Sequence, residues 1–205
     1  MTELLRAAYD TPWRATNEVR RLLMLPYYRL RFVLYGLPWG HDWRFYGMPI
    51  VQRFRGSAMT LGDALELRSW PSSNPLAPNH PVVLATRTPT AILRIGRQVG
   101  MTGTTIVAAE RVDIGDRVLI GANVTLTDTD FHPLTPGGRV RDILAGAHQP
   151  VIVEDDVFIG MNSLILKGVR IGAGSVIGAG SVVTSDVPPG VVAAGNPARA
   201  VRKLE

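Results

Sequence analysis

The sequence predicts an all-β fold: a coil of short parallel strands with a triangular cross-section, preceded by a helical, aromatic-rich extension and followed by a short C-terminal segment. Three observations point to it. An apolar residue recurs every sixth position from Val153 to Val183 without a slip. The same register returns in fragments as far upstream as Leu61. Composition changes near residue 60, where a basic aromatic stretch gives way to a neutral aliphatic one.

The extension, residues 1–56, comes first. Residues 1–60 hold nine arginines against four acids, a charge of +5, whereas the 13 basic and 13 acidic residues that follow cancel. Of the 14 aromatic residues, 11 also precede residue 61. Thr16 or Asn17 is placed to cap a first helix running through Leu22, Leu23 and Leu25. Pro26 starts a second, with Tyr28, Phe32 and Tyr35 on one face and Gly36 at its end. These aromatics are expected to cover the open end of the strand coil, or a neighbouring subunit, because bare strand edges invite association. Arg29, Arg31, Trp39 and Trp43 support a lesser reading, peripheral contact with an anionic membrane. Nucleic acid is not an expected partner, since no binding motif accompanies the charge.

The repeat occupies residues 57–188. Val153, Ile159, Ile165, Ile171, Ile177 and Val183 mark it, and four residues after each comes a small or β-branched residue: Val157, Ser163, Val169, Ser175, Ser181 and Val187. Positions six apart on an α-helix lie about 240° around its axis, so six is no helical period. It suits a short strand followed by a corner, with both marked positions pointing inward. Three such faces close a coil of about 18 residues, stacking Ile159 on Ile177 at about 4.8 Å. Ile114-Gly115, Ile120-Gly121 and Leu61-Gly62 are earlier copies, and Leu93 with Ile95-Gly96 is a slipped one. Loops near 71–83 and 128–150 interrupt the register, giving about five coils. The second loop opens with Asp128-Thr129-Asp130-Phe131-His132-Pro133, two carboxylates before a histidine held by the following proline. Interruptions of a regular scaffold are where functional residues concentrate.

Other classes fall away. The chain has no cysteine, which excludes disulfides and thiol nucleophiles. Glu3, Arg6 and Asp10 break any signal peptide, and the longest uncharged stretch, Ser69–Thr86, contains four prolines and cannot span a bilayer as a helix. A soluble, cytoplasmic protein is expected. Gly172-Ala173-Gly174-Ser175-Val176-Ile177-Gly178 lacks dinucleotide-loop spacing and follows from the six-residue period, while Asp155-Asp156 reads as a corner rather than a metal pair. No metal site is expected.

These repeats resemble the hexapeptide-repeat transferase family, whose fold is a left-handed parallel β-helix of hexapeptide repeats. The run Asp128 to Leu134 is similar to the His-Pro loop of its galactoside, maltose and exopolysaccharide O-acetyltransferases. The resemblance implies transfer of an acetyl group from acetyl-CoA to a sugar or glycan hydroxyl, with His132 as catalytic base, in a homotrimer that needs no metal. Asp130 or Asp128 is placed to orient the imidazole, with loop capping as the alternative for each; Asp130 is assigned the catalytic role and Asp128 an acceptor contact. Phe158-Ile159-Gly160-Met161 is similar to the family's Trp/Phe-Ile-Gly-x segment, so Met161 inherits the oxyanion-facing N–H, with Phe158 and Gly160 beside it. Ala179 and Thr184 match positions that receive the pantetheine arm. In the 189–205 tail, Gly195-Asn196-Pro197-Ala198-Arg199 is similar to the family's ending, and Arg199 and Arg202, three apart on a last helical turn, would meet the nucleotide phosphates of coenzyme A. Two departures weaken the acceptor assignment: Met101 stands where an acceptor-binding Asn is usual, leaving neighbouring Thr102 as a substitute, and Ser185 replaces a common Lys. Rival readings are an acetyltransferase for an antibiotic or other small hydroxyl compound, and a non-catalytic trimeric scaffold.

Overall fold

Three parallel sheets share the chain between them, one strand at a time, in strict rotation. The computed structural model describes residues 9–142 and 144–204. Residues 1–8 of the extension, Glu3 and Arg6 among them, lie outside the described residues. The first coil takes β1 (Arg44–Tyr46), β2 (Ile50–Gln52) and β3 (Ala58–Leu61), one on each face. The second takes β4 (Glu66–Arg68), β5 (Val83–Thr86) and β6 (Ile92–Ile95); the third β7 (Gly100–Thr102), β8 (Thr105–Ala108) and β9 (Arg111–Ile114). The fourth takes β10 (Leu119–Ala122), β11 (Thr125–Thr127) and β12 (Val151–Val153), and the fifth β13 (Phe158–Ile159), β14 (Leu164–Ile165) and β15 (Arg170–Ile171). β16 (Val176–Ile177) and β17 (Val182–Val183) continue two faces, and Val187 bridges to Ile171 on the third.

Register follows the six-residue period. Ile120 pairs with Ile159 and Ile159 with Ile177, so branched side chains stack in columns inside the prism, and all three are buried. The small positions have a second use. Buried Ser163, Ser175 and Ser181 donate their hydroxyls to the carbonyls of Gly160 (2.8 Å), Pro188 (2.7 Å) and Gly178 (2.6 Å), which satisfies corner groups that the strands leave unpaired.

The prism begins earlier than residue 57. β1 pairs with β4 and β2 with β5, so residues 44–61 already form a complete coil. Its inward residues are Phe45, Val51 and Met59, unevenly spaced and led by an aromatic, which hides them from a search for aliphatic hexads.

One helix, α1 (Pro12–Leu34), replaces the two expected. Thr11, not Thr16 or Asn17, is its N-cap. Asn17 lies inside α1 and donates from Nδ2 to the Ser72 carbonyl (2.8 Å), in the short 3-10 turn Pro71–Ser73. Pro26 removes one backbone donor yet does not end the helix. Tyr28 and Phe32, buried on either side of the next turn, hold the chain helical through contacts with the prism. Phe32 meets Trp39, Trp43 and Phe45 at ring-centroid distances of 5.7, 5.4 and 5.4 Å. This aromatic cluster is continuous with the aliphatic core and covers the first coil. Polar contacts seal its rim. The Tyr46 hydroxyl donates to Glu18, which also pairs with Arg21 (2.8 Å). Burial, and then that hydrogen bond to a carboxylate, push the Tyr46 hydroxyl up to about 12.

Truncating Phe32 removes the centre of the cluster. Phe32→Ala is expected to cost about 3–5 kcal/mol in denaturant unfolding. Wild-type stability would show that the aromatic cap does not hold α1 to the prism.

Candidate active site

One face of the prism carries a continuous outward row of residues in register: Glu66, Gly100, Leu119, Phe158, Val176, Val192 and finally Arg202. Alternation along each strand explains it, because the neighbours Leu67, Met101, Ile120, Ile159 and Ile177 point inward. Leu119 and Phe158 are consequently exposed. Beside this row lies a groove of about 470 Å³ whose lining includes Phe158, Gly160, Met161, Ala179 and Thr102. Its floor depends on glycine at two corners. A Cβ on Gly160 would sit 2.5 Å from the Ala179 backbone nitrogen, and one on Gly121 would sit 2.6 Å from that of Met161. Backbone therefore stacks on backbone along this edge.

The tail crosses the end of the same face. β18 (Val191–Gly195) and β19 (Ala198–Lys203) form an antiparallel hairpin, so Arg199 and Arg202 stand on a strand rather than on a helical turn. Residues three apart on a regular strand point to opposite sides. A bulge corrects this: Arg199 lies opposite Ala194 and Arg202 opposite Val192, with inward Ala193 opposite Ala200 between them. Both guanidinium groups reach the outward side, exposed.

The His132 loop is elsewhere. It joins β11, on the second face, to β12, on the third, and His132 is exposed there, outside the lining of the groove. The loop closes tightly on itself. The His132 N–H donates to the Asp130 carbonyl (2.7 Å), and a Cβ on Gly146 would lie 2.6 Å from the His132 nitrogen. Beyond Pro133 the chain makes α2 (Pro136–Arg141), capped by the Thr135 hydroxyl accepting from the Gly138 N–H. The Asp130 carboxylate pairs with Lys167 (2.9 Å), and its second oxygen is buried without a hydrogen-bond partner among the described residues. Lys167 escaped the sequence reading. The available signal was its rarity, because the chain has two lysines and this one stands at the corner between the hexad residues Ile165 and Val169.

One acceptor assignment is corrected and another is narrowed. Asp128 is fully buried and accepts from three consecutive backbone N–H groups, those of Ala109, Glu110 and Arg111, each at 2.7 Å. It ties the fourth coil to the corner of the third and has no face left for a substrate. Met101 turns its side chain into the core, 2% exposed, while bordering the groove beside Thr102. Thr102 does reach the groove, where its hydroxyl accepts from the Asn74 amide (3.1 Å), placing the 71–83 loop at the rim. Thr184 is exposed at the end of β17, apart from the groove lining. Phe158, Gly160, Met161, Ala179 and Thr102 thus meet within one chain, and His132 with Asp130 does not join them. Asp155 and Asp156 make a corner: Asp155 accepts from the Asp116 N–H (2.9 Å), and Arg117 donates to Asp156 (2.6 Å). That hydrogen bond pushes the Arg117 guanidinium up and holds Asp156 below the ordinary carboxylate range. Among the described residues, no three His, Asp or Glu side chains converge as a metal-binding group.

A family model described as the hexapeptide repeat of succinyl-transferase matches residues 111–128 and 150–185. These segments are hexapeptide repeats. The break between them is the His132 loop. The galactoside O-acetyltransferase of Escherichia coli strain K12 is 46% identical over 103 residues, covering 49% of this chain and 48% of that protein. The chain spans about half the length of the curated relatives it matches. Among solved structures, a hexapeptide-repeat acetyltransferase of Vibrio cholerae O1 biovar eltor, complexed with acetyl-coenzyme A, is 25% identical with a TM-score of 0.52 over 100% of both chains. A maltose O-acetyltransferase of Clostridium difficile 630 is 27% identical with a TM-score of 0.51, over 75% of this chain and 71% of that one. The chain resembles hexapeptide-repeat acetyltransferases in both sequence and fold.

Because Asp128 supports backbone, Asp128→Ala should lower unfolding free energy by about 2–3 kcal/mol, with an unchanged denaturant slope. Unaltered stability would return Asp128 to the list of substrate contacts.

Proposed function

We propose that this chain is an acetyl-CoA-dependent O-acetyltransferase acting on a hydroxyl of a sugar or glycan. The observation that carries the reading is the outward row itself. Phe158 and Met161 stand at one end, and Arg202, with Arg199 beside it, stands three strand spacings away, roughly 14 Å. An acyl donor laid along this row would place its thioester by Phe158 and Met161, its pantetheine arm over Val176 and past Ala179, and its phosphates against two arginines suited to them. Thr184 fits as a contact from the next corner.

In this reading the acceptor oxygen attacks the thioester carbonyl as its proton passes to the His132 imidazole, the side chain best suited to proton exchange near neutrality. The carbon–oxygen bond forms, the carbon–sulfur bond breaks, and the proton returns to the leaving thiolate. The Met161 N–H faces the developing oxyanion. No covalent enzyme intermediate is required. Asp130, anchored by Lys167, is a positioning residue that holds the loop bearing His132.

His132 and the groove lie on different faces of one prism. This separation supports an active site completed between copies, in which His132 of one protomer faces the groove of its neighbour in a homotrimer of left-handed prisms. Thr102, and with it Asn74, borders the acceptor end of the groove. A cytoplasmic setting, where acetyl-CoA is available, goes with this assignment.

The direct test is thiol release from acetyl-CoA with sugars, nucleotide sugars and oligosaccharides offered as acceptors. His132→Ala should lower kcat by about 10²–10⁴-fold while leaving coenzyme A affinity unchanged. Near-wild-type turnover by the variant would overturn the role of His132. Failure of the unaltered protein to bind coenzyme A would favour a scaffold, and turnover confined to small non-sugar alcohols would redirect the acceptor assignment.

A further inference from the structure

Helix α1 has two apolar faces, and the prism uses one. Its inner face buries Tyr28 and Phe32 against the first coil. Its outer face carries Val19, Leu22, Leu23, Leu30, Val33 and Leu34, each more than half exposed. At 100° per residue these six, with Pro26, fall within an arc of about 120°. They run for about 22 Å along the helix. Scattered exposed aliphatics are ordinary on a protein surface, but six aligned on one helix face are not.

Charge borders the stripe on both sides. On the same projection Arg20 flanks one edge and Arg29 the other, and both are exposed. The ring of Trp70 lies under the Arg20 guanidinium (4.0 Å), and that of Trp39 lies 5.8 Å from the guanidinium of Arg29. Glu18 is the one acid between Pro12 and Leu34, and it is committed to Arg21 and Tyr46 on the inner side. No acid of α1 therefore tempers the outer face. An aliphatic strip with an arginine on each edge suits an interface whose apolar depth is overlaid by negative charge.

We propose that the outer face of α1 docks the protein on an anionic lipid surface, with the leucines in the acyl boundary and the arginines at the phosphates. A second copy of the chain is the competing occupant. A two-fold contact through this stripe would set the arginine edges of both copies side by side, where like charges oppose association. A three-fold contact, in which the stripe meets a different surface, is separated by the oligomer's size in light scattering. Lipid phosphates meet the same arginines with opposite charge. The helix lies on the surface and does not cross it: no described helix is long and apolar enough to span a membrane.

Co-sedimentation of the full chain with vesicles tests this. Vesicles of phosphatidylcholine with about 30% phosphatidylserine should bind at least about tenfold more tightly than phosphatidylcholine alone, and the difference should collapse towards about 0.5 M salt. The double variant Leu23→Glu/Leu30→Glu changes only exposed positions. It should keep the wild-type melting temperature and lose about tenfold or more in partitioning to the anionic vesicles. Equal binding to both vesicle types, or undiminished binding by the double variant, overturns the proposal. So does a double variant whose sole effect is a smaller oligomer by light scattering, because the face then belongs to a second copy.

Discussion

Each coil of this protein must lie on the one before it at a strand spacing of about 4.8 Å, and that stacking constrains the rest of the molecule. It demands an apolar inward side chain at the same place in successive coils, as in the Leu67, Met101, Ile120, Ile159, Ile177 column. Along the groove edge it also demands corners in which backbone touches backbone, where Gly121 and Gly160 leave no room for a Cβ. The outward residues are stacked by the same rule without having to pack. A regular scaffold thereby lays Leu119, Phe158, Val176 and Val192 in a line, and the bulged hairpin ends that line with two arginines on one side. The candidate donor site is a consequence of strand register, and it needs no special loop.

Loops supply what register cannot. The excursion between β11 and β12 exists because the chain leaves the prism at Thr127 and returns at Val151. Asp128 makes that departure sturdy by capping three N–H groups of the coil below, and the Asp130–Lys167 pair ties the next turn down. An exposed imidazole is thus carried on a rigid base. The excess positive charge has a different seat, in the extension, where arginines surround a helix that grips the prism through aromatics and presents aliphatics outward.

Much of this was legible in the sequence because a six-residue period has few physical solutions. Coils built on Ile and Val at even spacing could be counted from the residues alone. The first coil could not, since Phe45, Val51 and Met59 break both the spacing and the residue type. Pro26 suggested a helix boundary, and only tertiary anchoring by Tyr28 and Phe32 carries the helix past it. In the tail a spacing of three suggested a helical turn, whereas a strand bulge brings Arg199 and Arg202 to one side. Asp128 and Asp130 looked alike as neighbours of His132. Their difference lies in partners 17–19 residues back for the one and in Lys167 for the other, which local spacing does not reveal.

The central claim, that coenzyme A lies along the outward row of one prism face, is open to a single measurement. Backbone hydrogen exchange of the full chain, with and without coenzyme A, should show new protection at residues 158–161, 178–180 and 192–202. Residues 83–95, on the other two faces, should not change. Protection confined to those faces, or to α1, would contradict the account.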